Sequence, residues 1–282
     1  MSTILRSFIV IVLLLQCSCA TPSFDELLAS ADKLAVEAGF TKRYIQGGKF
    51  SLISYIKASN TLVTDVTIYI EGDGKSMVTR NRPSLNPTPH QPLALHLAAV
   101  DKQSKNIIYL GRPCHFRPTG ADAECDIKYW TRYRYSQTVV DSLSDALDQL
   151  QQSYGFERIN LVGFSGGGAL AVLLAAQRPD VVSIRTVAAN LDVDAFVAWH
   201  RVSPMSNSLN PVVVTDRLKY IPQRHYFGDA DQVVPRAIGD SYLAYFSDKR
   251  CVQLIELTGL GHLNGWAALW PQLLAQPVGC ER

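Results

Sequence analysis

The segment Arg158-Ile-Asn-Leu-Val-Gly-Phe-Ser-Gly-Gly-Gly-Ala-Leu170 leaves a chain few ways to fold. An apolar run containing Ile159, Leu161 and Val162 stops at Gly163, Ser165 follows, and Gly166, Gly167 and Gly168 come directly after it. From Ala169 to Gln177 the chain is rich in alanine and leucine and free of proline, and Arg178-Pro179 closes the stretch, because the residue before a proline disfavours helix. The pattern reads as strand, sharp turn and helix, with Ser165 at the turn. A residue held on strained backbone at so tight a corner needs neighbours without Cβ atoms, or the helix could not lie against the strand. A dinucleotide loop would require Gly-x-Gly-x-x-Gly, and a phosphate loop would require Gly-Lys-Ser/Thr; neither is present.

The rest of the chain repeats this rhythm. Ser23-Phe-Asp-Glu26 forms a capping box ahead of Leu27, Leu28, Ala31, Leu34, Ala35 and Ala38, which recur at helical spacing until Gly39. Phe50–Ile56 and Leu62–Ile70 read as strands, the second leaving through Glu71-Gly72-Asp73-Gly74. A short helix at Leu93–Val100 precedes a strand at Ile107–Leu110 and a long polar and aromatic loop from Gly111 to Tyr135. Ser136 can cap a helix with one apolar stripe from Val139 to Leu150. After the central segment, strands are expected at Val181–Ala188, Arg224–Phe227 and Cys251–Leu257, with a helix from Pro235 and a terminal helix interrupted by Pro271. Alternation of strands and helices from residue 62 onward predicts an α/β fold: a mostly parallel central sheet with helices on both faces. No internal repeat or low-complexity linker divides residues 21–282, which read as a single domain.

Composition bounds the partners and the compartment. Net charge is only +2, without the concentrated basic face that a nucleic-acid partner would need. Residues 1–20 have the form of a signal peptide: Arg6, the apolar run Phe8–Leu15, and a small-x-small site at Ser18-Cys19-Ala20 giving a mature start at Thr21. Cys17 and Cys19 leave open a lipoprotein leader, which would make a lipid anchor the chain's one membrane contact. The other four cysteines, Cys114, Cys125, Cys251 and Cys280, lack Cys-x-x-Cys metal spacing, so no metal is expected. In an exported chain an even number suggests disulfides, and the preferred pairing is Cys114–Cys125 and Cys251–Cys280. The first closes a short loop rich in Pro, Gly and Asp, and the second staples the tail onto a strand.

A serine hydroxyl is a poor nucleophile unless a base lies within hydrogen-bond reach, and that base is commonly a histidine oriented by a carboxylate. In open α/β sheets such groups gather at the carboxyl ends of strands. Of six histidines, His262 lies in a glycine-rich loop after a predicted strand and downstream of Ser165. His96 and His225 fall inside predicted elements and His90 in a Pro-rich loop, whereas His115 and His200 lie in loops that could reach a substrate pocket. For the carboxylate, Asp231 in Gly228-Asp-Ala-Asp231-Gln-Val-Val-Pro235 is preferred, Asp229 reads as a turn residue, and Asp192 at the preceding strand exit competes with Asp231.

Gly163-Phe-Ser165-Gly-Gly167 matches the nucleophile elbow, and with Asp231 and Gly261-His262 downstream the order is Ser, Asp, His. Together with Gly-x-x-Asp-x-x-Val-Pro at 228–235, these motifs resemble the α/β-hydrolase family over roughly residue 62 to the C-terminus. The resemblance implies Ser165 as nucleophile, His262 as general base and then acid, and Asp231 as the group that orients it. It implies an oxyanion hole from the N–H groups of Gly166 and Asp73. It also implies a small-molecule acyl substrate, no cofactor, and cleavage of an ester, thioester or amide through an acyl-enzyme. An acyltransferase using the same triad, and a non-catalytic binding protein on the same fold, remain as alternatives. The family commonly has histidine where Glu71 stands, so the Glu71 carboxylate must turn away, toward an arginine, to spare a developing oxyanion. Residues 191–222 occupy the place of a cap insertion in the family, with Phe164, Phe196, Trp199 and Met205 expected beside His115 and His200 as pocket lining.

Overall fold

A computed structural model describes residues 22–59, 64–117 and 124–281. The leader with its Cys17, Cys19 and cleavage site, and the first residues of the run that begins at Leu62, lie outside the described residues.

The capping box forms as expected: Glu26 N–H donates to Ser23 Oγ at 3.2 Å and Ser23 N–H to Glu26 Oε2 at 2.7 Å. It opens α1 (Phe24–Glu37), which buries Leu27, Ala31 and Ala35. The next element, β1 (Thr41–Gly47), was not expected from sequence. Its side chains are mostly exposed and polar, because it is an edge strand held by backbone pairing to β2 (Phe50–Lys57) rather than by an apolar face. There follow β3 (Asp65–Ile70), a small ribbon of β4 (Met77–Thr79) and β5 (Arg82–Pro83), α2 (Leu93–Val100) and β6 (Ile107–Leu110). A 3-10 turn at Ile127–Trp130 leads to α3 (Gln137–Tyr154). Ser136 occupies its N-cap, but its hydroxyl makes no capping bond.

The central segment becomes β7 (Arg158–Phe164) and α4 (Gly166–Ala175). All ten residues of α4 are buried, as a helix apolar on every side must be. Next come β8 (Val181–Val187), α5 (Val193–His200), a 3-10 turn (Pro211–Val214), α6 (Thr215–Leu218), β9 (Gln223–Gly228), α7 (Arg236–Ala244), β10 (Val252–Leu257) and α8 (Trp266–Ala275). Pro271 does not interrupt α8: it lies inside the helix and its carbonyl accepts from Gln103 Nε2 at 2.9 Å.

Eight strands form one sheet in the order β1-β2-β6-β3-β7-β8-β9-β10. β2 runs antiparallel to both neighbours and every other adjacent pair is parallel. Two apolar cores fill the two faces. One gathers Val139 and Leu143 of α3, Leu170 of α4 and Tyr242 of α7; the other gathers Ala31 of α1, Leu97 of α2 and Trp266 and Trp270 of α8. Disulfides join Cys114 to Cys125 and Cys251 to Cys280, the pairing expected from the loop pattern. Such bonds belong to an oxidising compartment. Among the described residues no helix is long and apolar enough to cross a membrane.

Candidate active site

Ser165 sits between β7 and α4 with φ 50° and ψ −120°, a backbone conformation that a non-glycine residue avoids unless its surroundings force it. The forcing is visible at Gly163, where a Cβ would stand 2.5 Å from the Gly167 carbonyl oxygen, so the first turn of α4 rests directly on the end of β7. A Cβ at Gly166 would overlap the Asp73 carboxylate. The main chain of the corner is pinned by Ser165 N–H to Val187 O (2.9 Å) and Asn190 N–H to Ser165 O (3.2 Å).

The loops after β9 and β10 bring the other expected residues here. His262 Nε2 lies 3.2 Å from Ser165 Oγ, and its Nδ1 lies 2.8 Å from Asp231 Oδ2. A carboxylate only accepts, so Nδ1 carries the proton and Nε2 is left to accept from the serine hydroxyl. Asp231 is itself fixed, its Oδ1 accepting from Val233 N–H at 2.7 Å and Val234 N–H at 2.9 Å. The Phe164 ring packs 5.0 Å from the His262 ring, tilted by 44°. Asp229 accepts from Gly259 N–H at 2.7 Å and ties the two loops together. Asp192 does not reach His262. It caps α5, accepting from Asp194 and Ala195 N–H, and bonds Ser241 Oγ at 2.6 Å.

The loop after β3 passes beside the serine. Glu71 turns away from it, though not toward an arginine. Its Oε1 accepts from Gly72 N–H (2.9 Å) and from Ala94 N–H (3.4 Å) at the start of α2, and the carboxyl also meets the Tyr109 hydroxyl. Complete burial pushes this carboxyl up to about 7. The arginines instead serve Asp73. Arg112 and Arg134 both pair with its carboxylate, Arg134 at 2.8 Å, and Tyr135 Oη donates at 2.9 Å. Burial disfavours the charge on Asp73, but Arg134 and Arg112 overcome it and hold the carboxyl well below its usual range. This cluster joins residues too far apart in the chain for any sequence pattern to pair them.

A cavity of about 580 Å³ opens over Ser165, with Asp73, Arg134, Phe164, Asn190, Phe196 and His262 among its walls. A larger cavity of about 1110 Å³ adjoins it, lined in part by His200 and Met205. Ser76, Met77, Arg134 and Phe196 belong to both walls. Two expected lining residues lie elsewhere. Trp199 is 55% exposed on the outer side of α5, and His115 is buried near Arg112 and Phe116, where desolvation and then Arg112 push its pKa down to about 3. Asn190 was not singled out from sequence. It is 2% exposed, and neither end of its carboxamide has a partner. Among the described residues no group of three or more His, Cys, Asp or Glu is arranged to hold a metal.

The architecture, with a serine at the β7–α4 corner and its partners on the last two strand exits, is that of an α/β hydrolase. The sequence profile of the alpha/beta hydrolase fold family matches residues 117–211. An esterase from Pyrococcus furiosus superposes with a TM-score of 0.60 at 12% identity, covering 90% of this chain and 94% of its own. Est1E from Butyrivibrio proteoclasticus gives 0.59 at 13% identity, with 83% and 97% covered. An alpha-beta serine hydrolase homologue from Coxiella burnetii gives 0.55 at 17% identity, with 83% and 97% covered. No curated protein matches the chain in sequence. The chain therefore has the α/β-hydrolase fold.

Proposed function

We propose that the protein is an exported serine hydrolase that cleaves a carboxylic ester through an acyl-enzyme intermediate. The observation that carries this reading is the unbroken relay from Asp231 through His262 to Ser165, at 2.8 and 3.2 Å. As Ser165 Oγ attacks the ester carbonyl, His262 Nε2 takes its proton, and Asp231 steadies the imidazolium that results. Collapse of the tetrahedral intermediate breaks the ester bond, with His262 returning the proton to the departing alcohol. Water then repeats the sequence on the acyl-enzyme and releases the acid. As the first residue of α4, Gly166 offers an N–H with no preceding-turn carbonyl to accept it, and the Asp73 N–H is the second donor toward the developing oxyanion. The Arg112 and Arg134 contacts neutralise the Asp73 carboxylate, which would otherwise oppose that negative charge. The two disulfides support export. Segment 191–222 serves as a partial cap, contributing Phe196 to the roof of both cavities.

A fluorophosphonate probe tests the assignment. It is expected to label the wild type once, at Ser165, and to leave Ser165→Ala unlabelled, with hydrolysis of p-nitrophenyl butyrate lost in parallel. An unlabelled wild type, beside an esterase control that labels, would end the enzymatic reading.

A further inference from the structure

The larger cavity shares Ser76, Met77, Arg134 and Phe196 with the serine site, so a part of an ester that extends past Met77 and Phe196 can lie in it. Its charge is one-sided. Among the described residues Asp126 is the lone carboxylate in its lining, and it is engaged with Lys128 Nζ at 3.6 Å. Among the described residues Arg80 donates to the neutral carbonyls of His200 and Arg201 and has no ion-pair partner within 4.0 Å. Arg132 is exposed on the rim, and among the described residues it has no ion-pair partner within 4.0 Å, though Asp126 lies close enough to feel its field. At the seam between the cavities Arg134, with Arg112 buried behind it, shares the single carboxylate of Asp73, which leaves one positive charge in surplus. Met77 and Met205 supply apolar surface between these charges.

We propose that this second cavity is a subsite for an anionic group, and that the natural substrate is an ester carrying a carboxylate or phosphate several bonds from the scissile carbonyl. Cations converging on a concave, partly apolar wall raise the local concentration of an anion and strengthen contacts to it relative to open solvent. Arg80 is a strut between the β4–β5 ribbon and the end of α5, so the group free to meet a ligand is Arg132 on the rim, with Lys128, already paired with Asp126, and the small exposed edge of Arg134 beside it. The assignment rests on Ser165 being the nucleophile, and its test is chosen to fail separately.

Two matched pairs of esters probe both sides of the scissile bond. On the acyl side they are p-nitrophenyl hexanoate and the mono-p-nitrophenyl ester of adipic acid. On the alcohol side they are hexyl butyrate and 6-(butanoyloxy)hexanoate, followed by pH-stat. In the wild type at low ionic strength, at least one anionic member is expected to exceed its neutral partner in kcat/KM by about tenfold, mostly through KM. The advantage should shrink in 0.5 M NaCl, as it must for partly exposed charges. Arg132→Glu, an exposed position outside the catalytic machinery, should remove the advantage while leaving the neutral esters within about twofold of wild type. Lys128→Gln should reduce it by a smaller factor. If neither anionic ester is preferred by the wild type, or the preference survives Arg132→Glu undiminished, the subsite is wrong. Neutral-ester turnover that disappears in Ser165→Ala would then leave the hydrolase reading standing. Failure of every ester together with failure of fluorophosphonate labelling would overturn both.

Discussion

Glu71 offers a perturbation whose size can be worked out beforehand. Its carboxyl is wholly buried, and burial lifts its folded-state pKa to about 7 against an ordinary 4.5. Between those two values the native chain keeps a proton that the unfolded chain has released, so stability falls as pH rises through the window. Above both values the group is ionised in either state and the whole penalty remains, about 3 kcal/mol for this displacement. Glu71→Gln retains an acceptor for the Gly72 and Ala94 N–H groups, cannot ionise, and keeps a polar group beside the Tyr109 hydroxyl. Guanidinium unfolding with the disulfides intact, at pH 4.5 and at pH 8, measures the effect. The variant should be close to wild type at pH 4.5 and more stable by about 2–3 kcal/mol at pH 8, all other titrating groups cancelling in the comparison. An effect of equal size at both pH values would refute the reasoning. It would mean that Glu71 acts through packing and not through its charge.

Three further outcomes follow from contacts at the site. Asp231→Asn, which removes the group holding the imidazole tautomer, should lower kcat on an activated ester by ~10³–10⁴-fold, whereas Asp192→Ala should leave kcat within a few-fold and reduce stability by about 1–2 kcal/mol as α5 loses its cap; the reverse pattern would exchange their roles. Asn190→Leu replaces an orphaned carboxamide with an apolar group of similar size, so stability should rise by about 1 kcal/mol while kcat/KM falls, and a stability loss with unchanged kinetics would show the side chain to be structural. The double variant Cys251→Ser with Cys280→Ser opens a loop of 29 residues and should cost on the order of 3 kcal/mol in thermal or denaturant unfolding; a change below about 1 kcal/mol would assign the tail little hold on the fold.

The serine corner was legible in sequence because it is a local necessity: Gly163, Ser165 and Gly167 are spaced by the steric demand of helix on strand. His262 and Asp231 were legible because strand exits are short and carry glycine, so the candidates were few. The two disulfides could be paired from the loops that they close. β1 escaped because Thr41-Lys-Arg-Tyr has no apolar alternation, its pairing being a property of β2 beside it. α5 escaped because its start depends on the Asp192 cap and its apolar stripe is weak over eight residues. Trp199 was expected in the pocket on residue type alone, and only the orientation of α5 decides which side chain faces inward. The cluster of Asp73, Arg112, Arg134 and Tyr135 had no signature, since its members come from distant parts of two loops, one after β3 and one between β6 and α3, and meet only in the folded chain.

The imidazole that serves Ser165 hangs from the exit of β10, which borders the sheet and has one neighbouring strand, β9. Ser165 itself grows out of the middle of the sheet, flanked by β3 and β8. The two halves of the proposed reacting pair thus belong to regions of unequal durability, one at a margin free to fray and one in the most enclosed part of the molecule. Warming is therefore expected to abolish the proposed hydrolase activity while most of the sheet is still intact, and the bond from Cys251 to Cys280, beside the first residue of that outer strand, is placed to delay the moment when this happens.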